Sequence, residues 1–273
     1  MTKKVCEGGL RFHNIQKENF PGMPLISVIT VVYNGALTLE DAIRSVLGQT
    51  YRNVEYIIID GGSNDGTVDI LKQYDHVIDY WLSEKDGGIY DAMNKGISLC
   101  SGEFVGMLNS DDFFSNETVL QDLSERFCQT NVDAVFSCLD IVDKNDPIKI
   151  IRKYRVSTLS YRLLRIGIMP AHPTFYCKKS CYETGELYKT DYKIASDFEM
   201  LARLLLRKKI SWSFIDKVTV VMRSGGVSNS GFVKSVQLNL EILRACRENG
   251  LYTNLIFLAL KLPIRLFELL RCF

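Results

Sequence analysis

Short runs of apolar, β-branched residues recur along the chain, each followed by a polar turn and a segment of helical spacing. Leu25–Tyr33 (LISVITVVY) and Val54–Asp60 (VEYIIID) are apolar at almost every position, the pattern of strands covered on both faces of a parallel sheet. Shorter strands are predicted at Asp79–Ser83, Glu103–Leu108 and Ala134–Val142. Between them, Thr38–Leu47 sets Leu39, Ala42, Ile43, Val46 and Leu47 at helical spacing, with Thr38 placed to cap and Asp41 three residues on. Thr67–Tyr74, Gly88–Ser98 and Glu117–Phe127 also read as helices. Strand and helix alternating through short connections predict a right-handed, doubly wound α/β sheet, whose ligands sit at the carboxyl ends of the strands. Three of those ends carry polar clusters, Tyr33-Asn34, Asp60-Gly61-Gly62 and Asn109–Asp112, which should converge on one crevice.

The second half is less regular. Tyr154–Gly167 is basic and reads as a loop plus helix, and Thr174–Cys177 as a short strand. Ser196–Lys208 is a strong amphipathic helix, Ile210–Ile215 and Val218–Met222 are two strands, and Gly225-Gly226-Val227-Ser228 is a turn before the helix Lys234–Asn249. Residues 1–23 are expected to be a leader appended to the fold, without a signal-peptide pattern. Residues 24–228 are expected to form the α/β domain, in two parts at 24–112 and 113–228, and residues 229–273 a C-terminal helical extension. No stretch reaches the ~20 apolar residues of a membrane span. The apolar Leu255–Leu260, followed by Lys261, Arg265 and Arg271, suits either a membrane surface or packing on the domain.

Composition changes this picture in one respect. The formal net charge of the 273 residues is +1, which argues against nucleic acid as a partner, and 47% apolar with 24% charged residues is a globular balance. The near-neutral sum hides 12 basic against 23 acidic side chains in residues 1–150, and 21 against 9 in the remainder. An asymmetry of that kind suggests two differently charged partners. The 8 cysteines contain no C-x-x-C pair and the histidines number 3, so neither a disulfide framework nor a zinc site is indicated and free thiols are expected.

Asn109-Ser110-Asp111-Asp112 is the sharpest chemical cluster. Adjacent carboxylates at a strand end either hold a divalent cation that bridges phosphate oxygens or cap the next helix. Asp60 with Gly61-Gly62 either lets backbone approach an anionic or flat ligand, or forms an ordinary βα turn; the G-x-G-x-x-G fingerprint is absent. Asp197 and Glu199 open a helix that Ser196 is placed to cap, so the helix dipole favours their ionised forms, and such a carboxylate can serve as general base or simply complement the dipole. His172, between Pro170 and Pro173, can meet a phosphate or hydroxyl or be structural.

Taken in order, Val31-Val32-Tyr33-Asn34, Asp60–Thr67, Asp86–Gly96 (DGGIYDAMNKG), Asn109–Asp112 and Ser196–Glu199 resemble the motifs of family 2 glycosyltransferases. The chain is similar to their bacterial O-antigen and colanic-acid members, over roughly Pro24 to Ser228. The resemblance implies a GT-A fold, a Rossmann-like doubly wound mixed sheet. It implies that Thr30, Tyr33 and Asn34 lie against the uridine of a UDP-sugar and that Asp60 contacts the uracil. Asp111, with Asp112 beside it, would hold Mn²⁺ or Mg²⁺ against the donor diphosphate. Asp197 would be the base that deprotonates the acceptor hydroxyl, inverting configuration to give a β-linkage. Asn94, Asn109, His172 and Glu199 complete the expected substrate contacts. Asn109 stands at the first position of the family's D-x-D, and Met93 where many members carry a cation, so Lys95 or Arg223 is expected to face the phosphates.

These residues lead to a metal-dependent hexosyltransferase, working with UDP-Glc or UDP-Gal on a polyprenyl-diphosphate-linked saccharide of the GlcNAc-diphosphoundecaprenol type, in O-antigen or exopolysaccharide biosynthesis. Its expected location is peripheral, on the cytoplasmic face of the inner membrane. Lys178, Lys179, Arg207, Lys208 and Lys209 are the cations expected to face the acceptor and the anionic bilayer. Two alternatives stand beside it. A sugar nucleotidyltransferase should carry a basic Gly-rich loop after the first strand, where Tyr33-Asn34-Gly35-Ala36 has no cation. A non-catalytic sugar-nucleotide-binding subunit is the other.

Overall fold

A computed structural model describes residues 5–185, 187–225, 232–261 and 263. It holds one ten-stranded mixed sheet. The parallel core is β2 (Ile26–Val32), β3 (Val54–Asp60), β4 (Tyr80–Ser83) and β5 (Phe104–Met107), in spatial order β4-β3-β2-β5. The chain reaches β3 through α1 (Leu39–Leu47), β4 through α2 (Thr67–Gln73) and β5 through α3 (Ile89–Leu99). The strand order reverses between β2 and β5, which is where doubly wound sheets open their ligand crevice. Every residue of β2 and β3 is buried. The reason is two-sided cover: Ile26, Val28 and Val32 pack with α1, α2 and α4 (Val119–Thr130), while Ile29 and Val31 pack with α3 and α6 (Ser196–Leu206).

Beyond β5 the order continues through β9 (Tyr176–Lys178), β7 (Ala134–Val142), β10 (Trp212–Arg223) and β6 (Asp112–Phe114). β8 (Ile150–Tyr154) pairs outside β7. The two strands expected near 210–222 are one, β10, whose register against β7 shifts between Ile215 and Val218. Polar Asp216-Lys217 falls at that bulge, which is why the sequence pattern breaks there while the strand does not. β6 is only three residues long, and β8 is interrupted by Arg152 and Lys153, so neither stands out in sequence.

The leader is part of the sheet rather than an appendage. β1 (Cys6–Gly8) pairs antiparallel with β4 as an edge strand. Beyond it, Arg11 forms an ion pair with Glu55 at 2.7 Å and Lys17 one with Asp79 at 2.9 Å, both carboxylates being 3% exposed. The acidic first half is thus neutralised partly by its own amino-terminal cations.

The C-terminal helices also pack on the domain. α5 (Tyr161–Arg165), α6, α7 (Phe232–Glu248) and α8 (Leu255–Ala259) share a cluster built on Leu164, Phe198, Ala202, Ile242, Cys246 and Leu258. Outward, Val233, Val236 and Leu240 of α7 and Leu255 and Ile256 of α8 are exposed. No described helix is long and apolar enough to cross a membrane. The described cysteines are free. Of the expected turn at 225–228, only Gly225 falls among the described residues, at φ 106°.

Candidate active site

The three polar strand ends do converge. The loop after β2 is tied to the loop after β3 by four hydrogen bonds. Asn34 N–H donates to Ser63 Oγ at 2.6 Å and Asn64 N–H to Asn34 Oδ1 at 3.0 Å. Gly35 N–H donates to Thr67 Oγ1 and Ala36 N–H to Asp65 Oδ2, each at 3.0 Å. Asn34 takes φ 52°, a conformation asparagine tolerates better than most residues. On the other side, a side chain at Gly35 would meet Ser110 of the loop after β5. Tyr33 is 67% exposed above this platform, free to lie against a flat ring.

Asp60 is fully buried and already occupied. Its carboxylate accepts from Gly62 N–H at 3.2 Å, Ser63 N–H at 3.0 Å, Ser83 Oγ at 2.6 Å and Ser63 Oγ. It therefore shapes the turn that a base would rest on. Asp86 stands beside it, so close that a Cβ on Gly61 would lie 2.8 Å from its Oδ2. Burial pushes the Asp86 carboxyl up, against the Gly88 N–H that donates to it. Asp86-Gly87-Gly88 duplicates Asp60-Gly61-Gly62, and that repetition was the available signal for it.

Several other expected contacts are committed elsewhere. Thr30 is fully buried beneath the crevice, its hydroxyl 3.1 Å from Tyr56 Oη. Both ends of the Asn94 amide clamp the Tyr188 backbone, at 2.8 and 2.9 Å. Lys95 is paired with Glu84 at 2.7 Å and Asp91 at 3.5 Å, so it is not a spare cation for phosphate. Glu199 is fully buried between Arg203, Lys189 and Asn249, a hub joining α6 to α7. Thr38 makes no side-chain cap, and Asp41 pairs with Arg223.

Asn109, Asp111 and Asp112 lie at the reversal point. Asn109 Nδ2 donates to Asp112 Oδ2 at 2.9 Å, while Asn109 Oδ1 and Asp112 Oδ1 are buried without a hydrogen-bond partner. Burial, then the charge of Asp111, pushes the Asp112 carboxyl well above its usual range; burial also raises that of Asp111. Buried acceptor oxygens without donors are the chemistry a cation satisfies. Arg223, at the end of β10, donates to the Asp111 carbonyl at 2.9 Å, pairs with Asp41 at 2.5 Å and lies over the Phe113 ring. Of the two cations expected near phosphate, Arg223 is the one the fold brings to the Asn109–Asp112 loop. Among the described residues no group of three or more His, Cys, Asp or Glu side chains could hold a metal.

Adjoining this loop is a cavity of about 280 Å³, lined by Asn109, Tyr90, Arg152, His172, Lys193 and Asp197, among apolar neighbours that include Met93, Ile141, Met169 and Met222. Asp197 sits in the first turn of α6, and Phe198 N–H donates to its Oδ1 at 2.7 Å. Burial raises its carboxyl to about 6, outweighing the helix-end donors that favour ionisation. Ser196 does not cap: Ala195 occupies that position, and Ser196 Oγ is buried without a partner. His172 lies 2.6 Å from Tyr188 Oη, and burial lowers its ring to about 4, so at neutral pH it is uncharged and meets a hydroxyl rather than a phosphate.

The basic cluster lies away from this cavity. Arg207, Lys208 and Lys209 follow the far end of α6, roughly 15 Å from Asp197 at 1.5 Å per residue. Lys178 pairs with Asp133 and Lys179 donates to the Cys100 carbonyl, at the amino ends of the strands. A cleft of about 450 Å³ at that edge, between Phe20, Pro24, Phe104 and Phe127, includes Lys178 but none of the candidate catalytic groups. Arg152 and Lys193, which line the cavity, and Tyr188, which meets His172 behind its wall, carry no local sequence signal, because tertiary packing brings them there.

Residues 27–183 match the family model described as glycosyl transferase family 2. Over 103 residues the chain is 44% identical to the uncharacterized glycosyltransferase Rv1514c of Mycobacterium tuberculosis, a match covering 37% of this chain and 39% of that one. The chain thus spans about two fifths of that curated relative's length. TarS of S. aureus, in a crystal structure with UDP, superposes with a TM-score of 0.65 at 18% identity, covering 84% of this chain and 66% of TarS. The mannosyltransferase PcManGT from Pyrobaculum calidifontis, in complex with GDP-Man and Mn²⁺, gives 0.62 at 18%, covering 95% and 76%. These likenesses establish the GT-A architecture of the mixed sheet.

Proposed function

Because the chain belongs to glycosyl transferase family 2, we propose that it moves a hexose from a UDP-sugar to a lipid-linked acceptor with inversion at the anomeric carbon. The observation that carries this reading is Asp197: a half-buried carboxyl, raised to about 6, on the wall of a cavity that also reaches the Asn109–Asp112 loop. A carboxylate so tuned is ionised at neutral pH, yet basic enough to take a proton from a sugar hydroxyl. The acceptor oxygen then attacks the anomeric carbon as the bond to the UDP phosphate oxygen breaks, and the proton rests on Asp197. Tyr33 stacks on the base, Asp60 and Asp86 shape the turn beneath it, and neutral His172 accepts or donates to a sugar hydroxyl.

Asp111 and Asp112, with Asn109 Oδ1 beside them, suit a divalent cation, since Asp112 Oδ1 and Asn109 Oδ1 are buried without a donor. Bound there, Mn²⁺ or Mg²⁺ would neutralise charge on the leaving diphosphate. Arg223 adds a protein cation next to it. TarS with UDP supports a uridine donor, and PcManGT with GDP-Man and Mn²⁺ supports a metal. UDP-Glc or UDP-Gal on GlcNAc-diphosphoundecaprenol, giving a β-linkage in O-antigen or exopolysaccharide assembly, is the donor–acceptor pair we favour. The exposed apolar side chains of α7 and α8 support attachment to the inner-membrane surface, where such an acceptor resides.

The test is a donor screen with Mn²⁺ and a synthetic diphosphate-lipid acceptor, with the product linkage read by NMR. Transfer from UDP-Glc or UDP-Gal is the expected result; transfer from GDP-Man alone would overturn the uridine assignment. Asp197→Asn should lower kcat by about 10²–10⁴ while UDP binding measured by calorimetry is kept. Unchanged kcat would remove Asp197 as the base.

A further inference from the structure

Asp197 is not held by its own helix alone. The backbone just before α6 is gripped by a side chain from α7, about 45 residues later in sequence: Glu241 accepts from Lys193 N–H at 3.1 Å and from Ile194 and Ala195 N–H at 2.9 Å each. The helix has no side-chain cap of its own, since Ala195 occupies the cap position and Ser196 Oγ has no partner. Glu241 therefore holds the cap residue and the two residues before it through their main-chain amides, as the reciprocal half of a capping box holds the cap amide. Gln237, one turn earlier on α7, donates to Glu241 Oε1 at 3.1 Å and fixes its rotamer. From the opposite side, Tyr90 of α3 donates to the Ile194 carbonyl at 2.6 Å. Residues 193–195 are thus clamped between α3 and α7, and Asp197 follows immediately.

We propose that Glu241 is a positioning residue for Asp197: it locks the entrance of α6 so that Asp197 faces the cavity, and it sets a fixed negative charge behind that carboxylate. The proposal rests on Asp197 being the base, and it assigns a role in the reaction to the C-terminal extension. The two halves of the chain then meet at the catalytic group. Burial opposes the charge on Glu241, but the three N–H groups together hold its carboxyl below the usual range, so it remains an anion wherever Asp197 titrates. Its charge adds to burial in raising Asp197.

The other groups facing Asp197 do not compete for this role. Tyr90 and Tyr188 are pushed up by burial and stay neutral, His172 is neutral above about 4, and Lys193 and Arg152 line the same cavity as cations. Glu241 is the anion acting on Asp197 from α7. A glutamate at this place carries no signature in sequence, because its three partners are main-chain amides rather than side chains.

Two variants and two readouts test it in the full chain. Glu241→Gln keeps the side-chain shape and removes the charge; Glu241→Asp keeps the charge and shortens the reach. For Glu241→Gln we expect kcat to fall about tenfold or more, with KM for the UDP-sugar within about twofold, since only the base is displaced. The acid limb of its kcat–pH profile should move to lower pH, whereas that of Glu241→Asp stays near wild type. The same displacement should be read without turnover, from the ¹³C-carboxyl titration of Asp197 by NMR. If Glu241→Gln lowers thermal stability but leaves that titration where it is in wild type, the role is structural and the proposal fails. If wild-type protein transfers no sugar while the titration still moves with Glu241→Gln, the reading of function fails and the coupling stands. A Glu241→Gln chain that does not fold leaves Glu241→Asp to decide, where an acid limb or titration displaced from wild type overturns the charge assignment.

Discussion

Asp197 and His172 respond to one low-dielectric cavity in opposite directions, and the pH behaviour follows from both. Burial raises the aspartate to about 6 and lowers the histidine to about 4. Proton acceptance needs the ionised carboxylate, so kcat should rise with pH through about 6, two units above an ordinary aspartate; a profile measured from pH 4.5 to 8 checks this. Stability carries opposing contributions. As pH falls from 6 towards 3.8, folded Asp197 takes up a proton that the unfolded chain does not, which stabilises the fold. As pH falls from 6.5 towards 4, unfolded His172 takes up a proton that the folded ring refuses, which destabilises it. Asp197 and the Asn109–Asp112 loop were legible because each sits in a local motif at an element's end. Glu199 was misread for the same reason, since two residues on from Asp197 it stands on nearly the opposite face of α6, in the α6–α7 interface with Arg203 and Lys189.

At the scale of elements, strands with both faces covered were the readable ones. β2, β3 and β7 follow the apolar runs, because a strand packed by helices on both faces needs apolar residues at every position. β1, β6 and β8 are short or peripheral, and their mixed composition resembles loop. Yet β1 and the turn after it protect buried charge. Arg11 donates to Glu55 at 2.7 Å and to the Leu99 carbonyl at 2.8 Å, with Ser27 and Ser101 completing the carboxylate's partners. Arg11→Met should cost about 2 kcal/mol in urea unfolding, the value of a charged hydrogen bond to a buried group, with transferase kinetics unchanged. A loss below about 0.5 kcal/mol would mean that the serine donors suffice.

For the whole molecule, the charge division along the chain is not a division in space. Arg223 from the basic half stands against Asp111 and Asp41 of the acidic half, and Arg11 and Lys17 offset Glu55 and Asp79 within it. The cations Arg207, Lys208 and Lys209 lie at the opposite end of α6 from Asp197. Membrane contact is better argued from the exposed Val233, Val236, Leu240, Leu255 and Ile256. In co-sedimentation, anionic phospholipid vesicles should pellet the protein more than zwitterionic ones, and Leu255→Ser with Ile256→Ser should weaken that. Equal recovery with and without vesicles would end the surface-binding reading.

The sequence alone determined the doubly wound core, the three strand ends that form the crevice, and the places of Asp197, Asp111 and Asp112 at the ends of elements, because these depend on periodicity and on neighbours a few residues apart. Tertiary structure decided which of those groups remain available. Thr30, Asn94 and Glu199 are taken by Tyr56, Tyr188 and Asn249, and Lys95 by Glu84 and Asp91 of neighbouring elements, while Glu241 and Arg152 are brought in from far along the chain. The physical reason is that a buried polar group must be satisfied wherever the fold supplies a partner, and no local pattern reports where that partner will come from.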